Sequence, residues 1–233
     1  MGPTPENHED WLRFTAFILG RDDERWVFRG QSMRRVGAGW MSFGLRPRVG
    51  RPQITGAAGY DFNDEYNLFA EFRAAGRRLH DGNGYCDLDW LALAQHHEVP
   101  TRLLDWSTDP LVAAWFAVVS GEGSGEVIAI RPPLALSPDE PIDPFKGSGV
   151  RFARVTPLIK RVFAQRGLFS IHPRPDEDWD PDSVGIQMET FEIPSRSRVF
   201  FLRQLARVGY SYQGLMDDLD GIGTDLAFRY NNR

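Results

Sequence analysis

The stretch from Leu93 to Val119, LAQHHEVPTRLLDWSTDPLVAAWFAVV, constrains the chain most, because one proline stops a regular element and a second starts another. Pro100 pushes the residue before it toward extended geometry, so a helix arriving from the N-terminal side must end there. Asp109 followed by Pro110 is the opposite signal, an N-cap and a first helical residue. It predicts a helix from Pro110 to about Val119 with Leu111, Ala114, Trp115 and Val118 buried. Only a short extended segment fits between the two prolines. Thr101 to Ser107 reads as a strand with Thr101, Leu103, Asp105 and Ser107 on one face and Arg102, Leu104 and Trp106 on the other. Polar residues bracketed in this way by apolar helical runs are either tightly satisfied or functional. Ser107 and Thr108 fall at the strand-to-helix junction, where free backbone N–H groups favour an anion.

The flanking sequence supplies elements that can enclose this block. Asn7 to Leu19 predicts a helix capped by Asn7, with Trp11, Phe14 and Ile18 facing the core. Arg25 to Gln31 has strand composition, placing Trp26 and Phe28 on one face and Val27 and Arg29 on the other. Gly30 follows Arg29, which lets backbone and guanidinium approach one ligand together. Ser32 to Gly59 reads as loop. Phe62 to Leu79 predicts a helix with a stripe of Phe62, Tyr66, Phe69, Phe72 and Leu79. Asp87 caps another through His97 that buries Leu88, Leu91 and Ala94. Beyond the central helix, Glu126 to Arg131 reads as a strand, and Ile159 to His172 as two strands joined at Arg166-Gly167 with Arg161, Phe163 and Gln165 sharing a face. Arg174 to Gly185 reads as an acidic surface loop, and Met188 to Ile193 as a strand. Ser195 caps a helix through Val208 burying Val199, Leu202 and Leu205, and the tail holds a short turn and a brief helix.

These elements form an α/β chain of the α+β type, one domain over 1–233 with an N-terminal helix at 7–19 and a core at 25–230. No run of eighteen apolar residues and no signal segment is visible, so the cytoplasm is the expected compartment. Cys86 is the only cysteine and is read as a small buried or half-buried hydrophobe; a single thiol excludes an internal disulfide and thiolate-rich metal sites. The formal charge of −5 disfavours wholesale nucleic-acid coating. Yet Arg25 to Tyr60 contains no acid while carrying Arg25, Arg29, Arg34, Arg35, Arg46, Arg48 and Arg51, a pattern that suits a phosphate or other anion.

Several familiar chemistries lack their parts. The histidines at 8, 80, 96, 97 and 172 include no i, i+4 pair, so no helical zinc motif exists and no metal is expected. His96, Asp105 and Ser107 contain the residue types of a hydrolytic triad, but the glycine elbow around a nucleophilic serine is missing. No Walker loop or dinucleotide GxGxxG follows a strand.

Phe28-Arg29-Gly30-Gln31, Leu93-Ala94-Gln95-His96, the string Pro100-Thr101-Arg102-Leu103-Leu104-Asp105-Trp106 and Ala113-Ala114-Trp115-Phe116-Ala117 together resemble the FRG domain family, named for its Phe-Arg-Gly signature. Gln165 to Phe169 and Leu219-Asp220-Gly221 resemble its later blocks, so the likeness spans about residues 26 to 225. One departure is visible: His97 and Glu98 stand where the family usually has an aromatic residue and glycine. The order of the polar elements is also similar to the ADP-ribosyltransferase fold, which implies split mixed or antiparallel sheets flanked by helices. It further implies NAD as substrate, no metal, and a protein or nucleic-acid acceptor, or NAD hydrolysis, in a bacterial toxin or antiphage setting with an antitoxin or defence-system partner. Carried over, Arg29 would hold the pyrophosphate or ribose, Ser107 and Thr108 the nicotinamide ribose, and Gln165 the ribose 2′-hydroxyl. Gly30, Gln31, Thr101 and Arg102 would complete the cofactor contacts, and His96 would fix the ribose or Asp105. An amide at Gln165 can hold a hydroxyl but supplies no charge, which leaves Asp105 to provide the carboxylate. Two other readings stand beside this one: a non-catalytic nucleotide- or nucleic-acid-binding module using the arginine loop 34–51, and a protein-interaction domain whose motif is structural.

Overall fold

The computed structural model describes residues 3–231 apart from 22, 24, 37–38, 42–43, 122, 134–141, 157–164 and 217–218. Helix α1 spans Pro5–Leu19 and is capped by Thr4 rather than Asn7; Asn7 is the third helical residue and returns the bond to the Thr4 backbone, closing a capping box. Strand β1 (Val27–Ser32) follows, then a small hairpin of β2 (Arg34–Val36) and β3 (Gly39–Met41) within the segment expected to be loop. Helices α2 (Pro52–Thr55), α3 (Phe62–Gly76) and α4 (Asp87–His96) lead to the central block. There β4 (Leu103–Ser107) and α5 (Pro110–Val119) form as the two prolines dictate, with the Asp109 carboxylate accepting from the Leu111 N–H at 2.9 Å. Strands β5 (Gly125–Ile130), β6 (Arg151–Ala153), β7 (Gly167–Ile171) and β8 (Met188–Ile193) precede the closing helices α6 (Arg198–Arg207), α7 (Tyr212–Met216) and α8 (Leu219–Asn231).

The architecture is mixed α+β: a six-stranded sheet in the order β6-β7-β4-β1-β5-β8, flanked by helices. Every pairing described is antiparallel, so the mixed alternative does not hold among the described residues. The ladder is continuous between β1 and β5 over six residue pairs, from Val27 opposite Ile130 to Ser32 opposite Gly125. Between β1 and β4 it is a single pair, Phe28 opposite Ser107. Continuing that register would set Gly30 against Asp105, but the two central strands diverge instead.

Two apolar clusters lie on one face of the sheet, on either side of this divergence. One joins Phe28, Val127 and Ala129 to α5, α1 and α6; the other joins Leu103, Phe169 and Ile171 to α3 and α4. The opposite face carries a third cluster, with Val27, Ile128 and Ile130 packed beside Leu104, Trp106, Phe152 and Leu168, and it spans both halves. Alternation along each strand produces this division, since successive residues face opposite ways.

Several sequence readings give way to longer-range partners. The stripe on α3 faces the core through Phe69, while Phe62 and Tyr66 are exposed and rest against Phe145; Leu79, 92 % exposed, lies beyond the helix end. On α6 Leu202 and Leu205 are buried with Phe200 and Phe201, and Val199 points outward. Cys86 is exposed at the N-cap of α4, although partial burial pushes its thiol above the ordinary range. β7 pairs with β4 along its length and with β6 at Phe169–Ile171; the strand expected before it, from Ile159, falls almost wholly on 157–164, outside the described residues. No described helix is long and apolar enough to cross a membrane.

Helix α5 sits directly on the sheet. A Cβ on Gly30 would stand 1.7 Å from the Ala113 carbonyl oxygen, so the glycine answers to helix packing rather than to backbone exposure toward a ligand. Gly30→Ala is expected to cost at least about 3 kcal/mol in urea denaturation or to prevent folding, because backbone rather than a flexible side chain would have to move. Gly149→Ala, where a Cβ meets nothing within 4 Å, is expected to stay within about 0.5 kcal/mol of wild type.

Candidate functional site

The divergence of β1 and β4 opens a cavity of about 370 Å³ between α4 and α5. Phe28, Val112, Ala113, Phe116 and Phe169 make its apolar wall, and Arg29, Gln95, His96, Asp105, Ser107 and Gln165 bring polar groups to it. Of the residues singled out from the sequence, the fold therefore gathers Arg29, Gly30, Gln31, His96, Asp105, Ser107 and Gln165 around one space.

Arg29 occupies the gap where ladder hydrogen bonds would have run. Its Nη1 donates to the Asp105 backbone carbonyl at 2.8 Å and stands 3.6 Å from the Asp105 carboxylate. The side chain is only 12 % exposed, and its Nε is buried with no hydrogen-bond partner. Burial pulls the guanidinium below its ordinary value and the Asp105 charge works in the other direction, so a desolvated cation faces the cleft with incomplete compensation. Asp105, by contrast, is 62 % exposed, and its carboxylate accepts from the Gln95 amide at 2.6 Å.

Ser107 and Thr108 serve the strand-to-helix junction. The Ser107 hydroxyl donates to the Gln165 carbonyl at 2.7 Å and accepts from the Asp109 N–H at 2.9 Å, while the Thr108 N–H donates to the Arg166 carbonyl at 3.2 Å. They thereby tie down the turn at Gln165 and Arg166, where Arg166 adopts a left-handed φ of 48°. Gln165 is thus a turn residue ahead of β7 rather than a strand residue, and its amide donates to the Leu215 carbonyl at 3.0 Å. Asp109 completes the junction by accepting from the Tyr210 hydroxyl at 2.7 Å, and burial beside that carboxylate pushes the phenol up to about 12.

Thr101, Arg102 and Thr108 do not line the cavity. Arg102 is buried beside Glu65, with side-chain exposures of 2 % and 1 %, in a two-pronged pair at 2.9 and 2.6 Å. The Tyr60 hydroxyl accepts from it at 3.1 Å, and the Phe145 ring lies 4.7 Å from its guanidinium carbon. That enclosure accounts for Arg102 structurally, and the ion pair open to Asp105 is the one with Arg29. His96 is half-buried at the cavity wall, its ring 4.8 Å from that of His97.

Arg48 and Arg51 reach the cavity from the acid-free segment. Their neighbours show where the missing acids come from: Arg46 binds Asp178 with both contacts at 3.2 Å, and Arg48 binds Glu98 at 2.6 Å. Arg25 likewise pairs with Asp23. The described arginines of this segment are therefore largely matched by carboxylates elsewhere in the chain.

Glu98 holds a left-handed φ of 65° at the end of α4, the conformation for which glycine is the natural residue. Glu98→Ala and Glu98→Gly both remove the carboxylate partner of Arg48 and leave the backbone carbonyl it also binds. The glycine variant should be the more stable by about 1 kcal/mol in denaturant titration, because only it relieves the backbone.

Beneath the site, on the opposite face, Trp106 Nε1 donates to the Ser170 hydroxyl at 2.9 Å, and Ser170 lies 2.8 Å from His172 Nε2. Ser170 bridges the indole and the imidazole, and a neutral His172 can accept the Ser170 hydrogen at Nε2. Burial, and secondarily the Arg29 charge, lowers His172 to about 3. Below the ordinary value of 6.5 the unfolded chain takes up a proton that the folded state refuses. Stability from this group is therefore complete above that value and declines as pH falls toward 3. By pH 5 the loss is about 2 kcal/mol, and a His172→Asn variant should show a correspondingly flatter stability profile between pH 7 and 5 in urea titrations.

Among the described residues no group of three or more His, Cys, Asp and Glu side chains is arranged to hold a metal ion. Residues 24–125 match the family model of the FRG domain, a range that takes in Arg29, Gln95, His96, β4 and α5, and this supports the FRG resemblance. Gln165 and the C-terminal helices fall outside it. No curated protein and no solved structure matches the chain.

Proposed function

We propose that the cleft between α4 and α5 binds NAD and breaks the bond between nicotinamide and ribose, passing the ADP-ribosyl group to a macromolecular acceptor or to water, in an ADP-ribosyltransferase-like use of the split between two central strands. The observation that carries this reading is the pairing, in one cavity, of a desolvated Arg29 guanidinium with a solvent-open Asp105 carboxylate beside an apolar wall. NAD presents complementary chemistry: an anionic pyrophosphate, a flat aromatic ring, and a positive charge where that ring meets ribose.

Binding would exchange partners at Arg29. A phosphate oxygen takes up guanidinium donors, including the buried Nε, and so loosens the Asp105 carboxylate from its 3.6 Å contact. The nicotinamide ring rests against Phe116 and Phe169. As the glycosidic bond breaks, its electron pair goes to the pyridinium nitrogen and neutral nicotinamide leaves. The positive charge passes to the ribose, where Asp105 supplies the opposing negative potential. Gln165 holds a ribose hydroxyl through its amide, in a turn that Ser107 and Thr108 keep in place. The acceptor or water then adds to the ribose carbon and releases its proton to solvent. The arginine loop offers less support for a nucleic-acid surface, since Arg46 and Arg48 already carry Asp178 and Glu98.

Incubation with labelled NAD and cell extract, scoring nicotinamide release and label transfer separately, tests the reading. Wild type is expected to release nicotinamide. Arg29→Ala should lose about a hundredfold or more in kcat/KM, in keeping with removal of a charged contact in a dry site. A wild-type protein that neither releases nicotinamide nor gains melting temperature with NAD would overturn it.

A further inference from the structure

We infer that Gln95 is a positioning residue for the Asp105 carboxylate, working from the last turn of α4 with Thr101 as its support; the inference deepens the reading of the cleft given above. Asp105 is exposed and on a strand edge that has lost its ladder partner, so nothing in the strand itself fixes its side chain. Two contacts do so. Arg29 stands 3.6 Å from one carboxylate oxygen, and the Gln95 amide nitrogen donates to the other at 2.6 Å. Only the second survives when a ligand phosphate claims Arg29.

The orientation of the Gln95 amide is fixed by its other end. The Thr101 hydroxyl oxygen accepts from the Leu103 N–H at 3.3 Å, which directs its own hydrogen to the Gln95 side-chain oxygen. The amide nitrogen is thereby turned toward Asp105. Thr101, buried and outside the cavity, reaches the site through this relay.

An amide suits the task better than a charged group. Lysine or arginine at 95 would neutralise the carboxylate permanently and remove the negative potential the cationic ribose requires. A carboxylate at 95 would repel it. Glutamine fixes the position while leaving the charge intact.

Two measurements decide the matter. Crystal structures of Gln95→Ala and wild type compare the Asp105 side chain directly: it should lose its single conformation in the variant, and an unchanged carboxylate would overturn the inference whether or not NAD is turned over. The kinetic arm is a double-mutant cycle with Asp105→Ala on nicotinamide release. Gln95→Ala alone should lower kcat roughly ten- to a hundredfold with KM for NAD changed by less than about threefold, the scale of one hydrogen bond to a charged group. Gln95→Glu, of the same size, should lose at least as much. In the Asp105→Ala background the same Gln95→Ala change should have almost no further effect. Full additivity, or an active Gln95→Ala enzyme with wild-type kcat, would overturn the positioning role while leaving NAD chemistry standing. A wild type inert toward NAD would instead remove the reading of the cleft and leave the structural comparison to judge Gln95.

Discussion

Helix α5 lies on the sheet with its backbone in contact with the strands beneath. Side-chain carbons at Gly30 and Gly125 would come within 1.7 and 2.3 Å of the carbonyl oxygens of Ala113 and Ala117. This approach settles much of what surrounds it. A helix seated so low over β1 and β5 cannot also cover β4, which leaves the face carrying Asp105 open toward α4. The same placement gives α5 strong anchoring at both ends. Asp109 caps its first turn, and Arg198 donates to the Val118 and Ser120 carbonyls at 2.7 and 3.0 Å near its last.

The polar groups at the split divide into those that maintain the framework and those left to face the cavity. Ser107, Thr108 and Asp109 spend their hydrogen bonds on the helix start and on the Gln165 turn. Arg102 and Glu65 satisfy each other in an enclosed pair of the kind that costs several kcal/mol to break by removing one member, about 3–5 in comparable cases. Arg29 and Asp105 differ from both groups, since one is desolvated without full pairing and the other is solvent-open and held by a neighbour. That contrast separates candidate chemistry from scaffolding within a few residues of sequence.

Local signals were legible where the physics is local. Pro100 and Asp109-Pro110 defined the ends of α4 and α5, and the alternation of β4 placed Asp105 and Trp106 on opposite faces. Arg29, Asp105, Ser107 and Gln165, brought together beforehand only by what the resemblance to the ADP-ribosyltransferase fold implied, all line the one cavity. Partners distant in sequence were not. The acid-free arginine segment looked uncompensated until Glu98 and Asp178 arrived from 50 and 132 residues away. Arg102 looked like a ligand contact because Glu65 precedes it by 37 residues on a helix whose apolar stripe drew attention instead. Gln95 lay inside a recognised string but announced no role, since its meaning depends on which way Asp105 and Thr101 face it.

The two halves of the sheet share a single apolar cluster on one face, and on the other they present separate cores with the cavity between them. Mechanically this resembles a book whose spine is the cluster of Val27, Leu104, Trp106 and Ile128 and whose pages meet at the cleft. Among the described residues no apolar cluster crosses the seam on that face, so parting the pages there would expose little packed hydrocarbon. A molecule held by α4 on one side and α5 on the other would bridge the two cores and stiffen the seam between them.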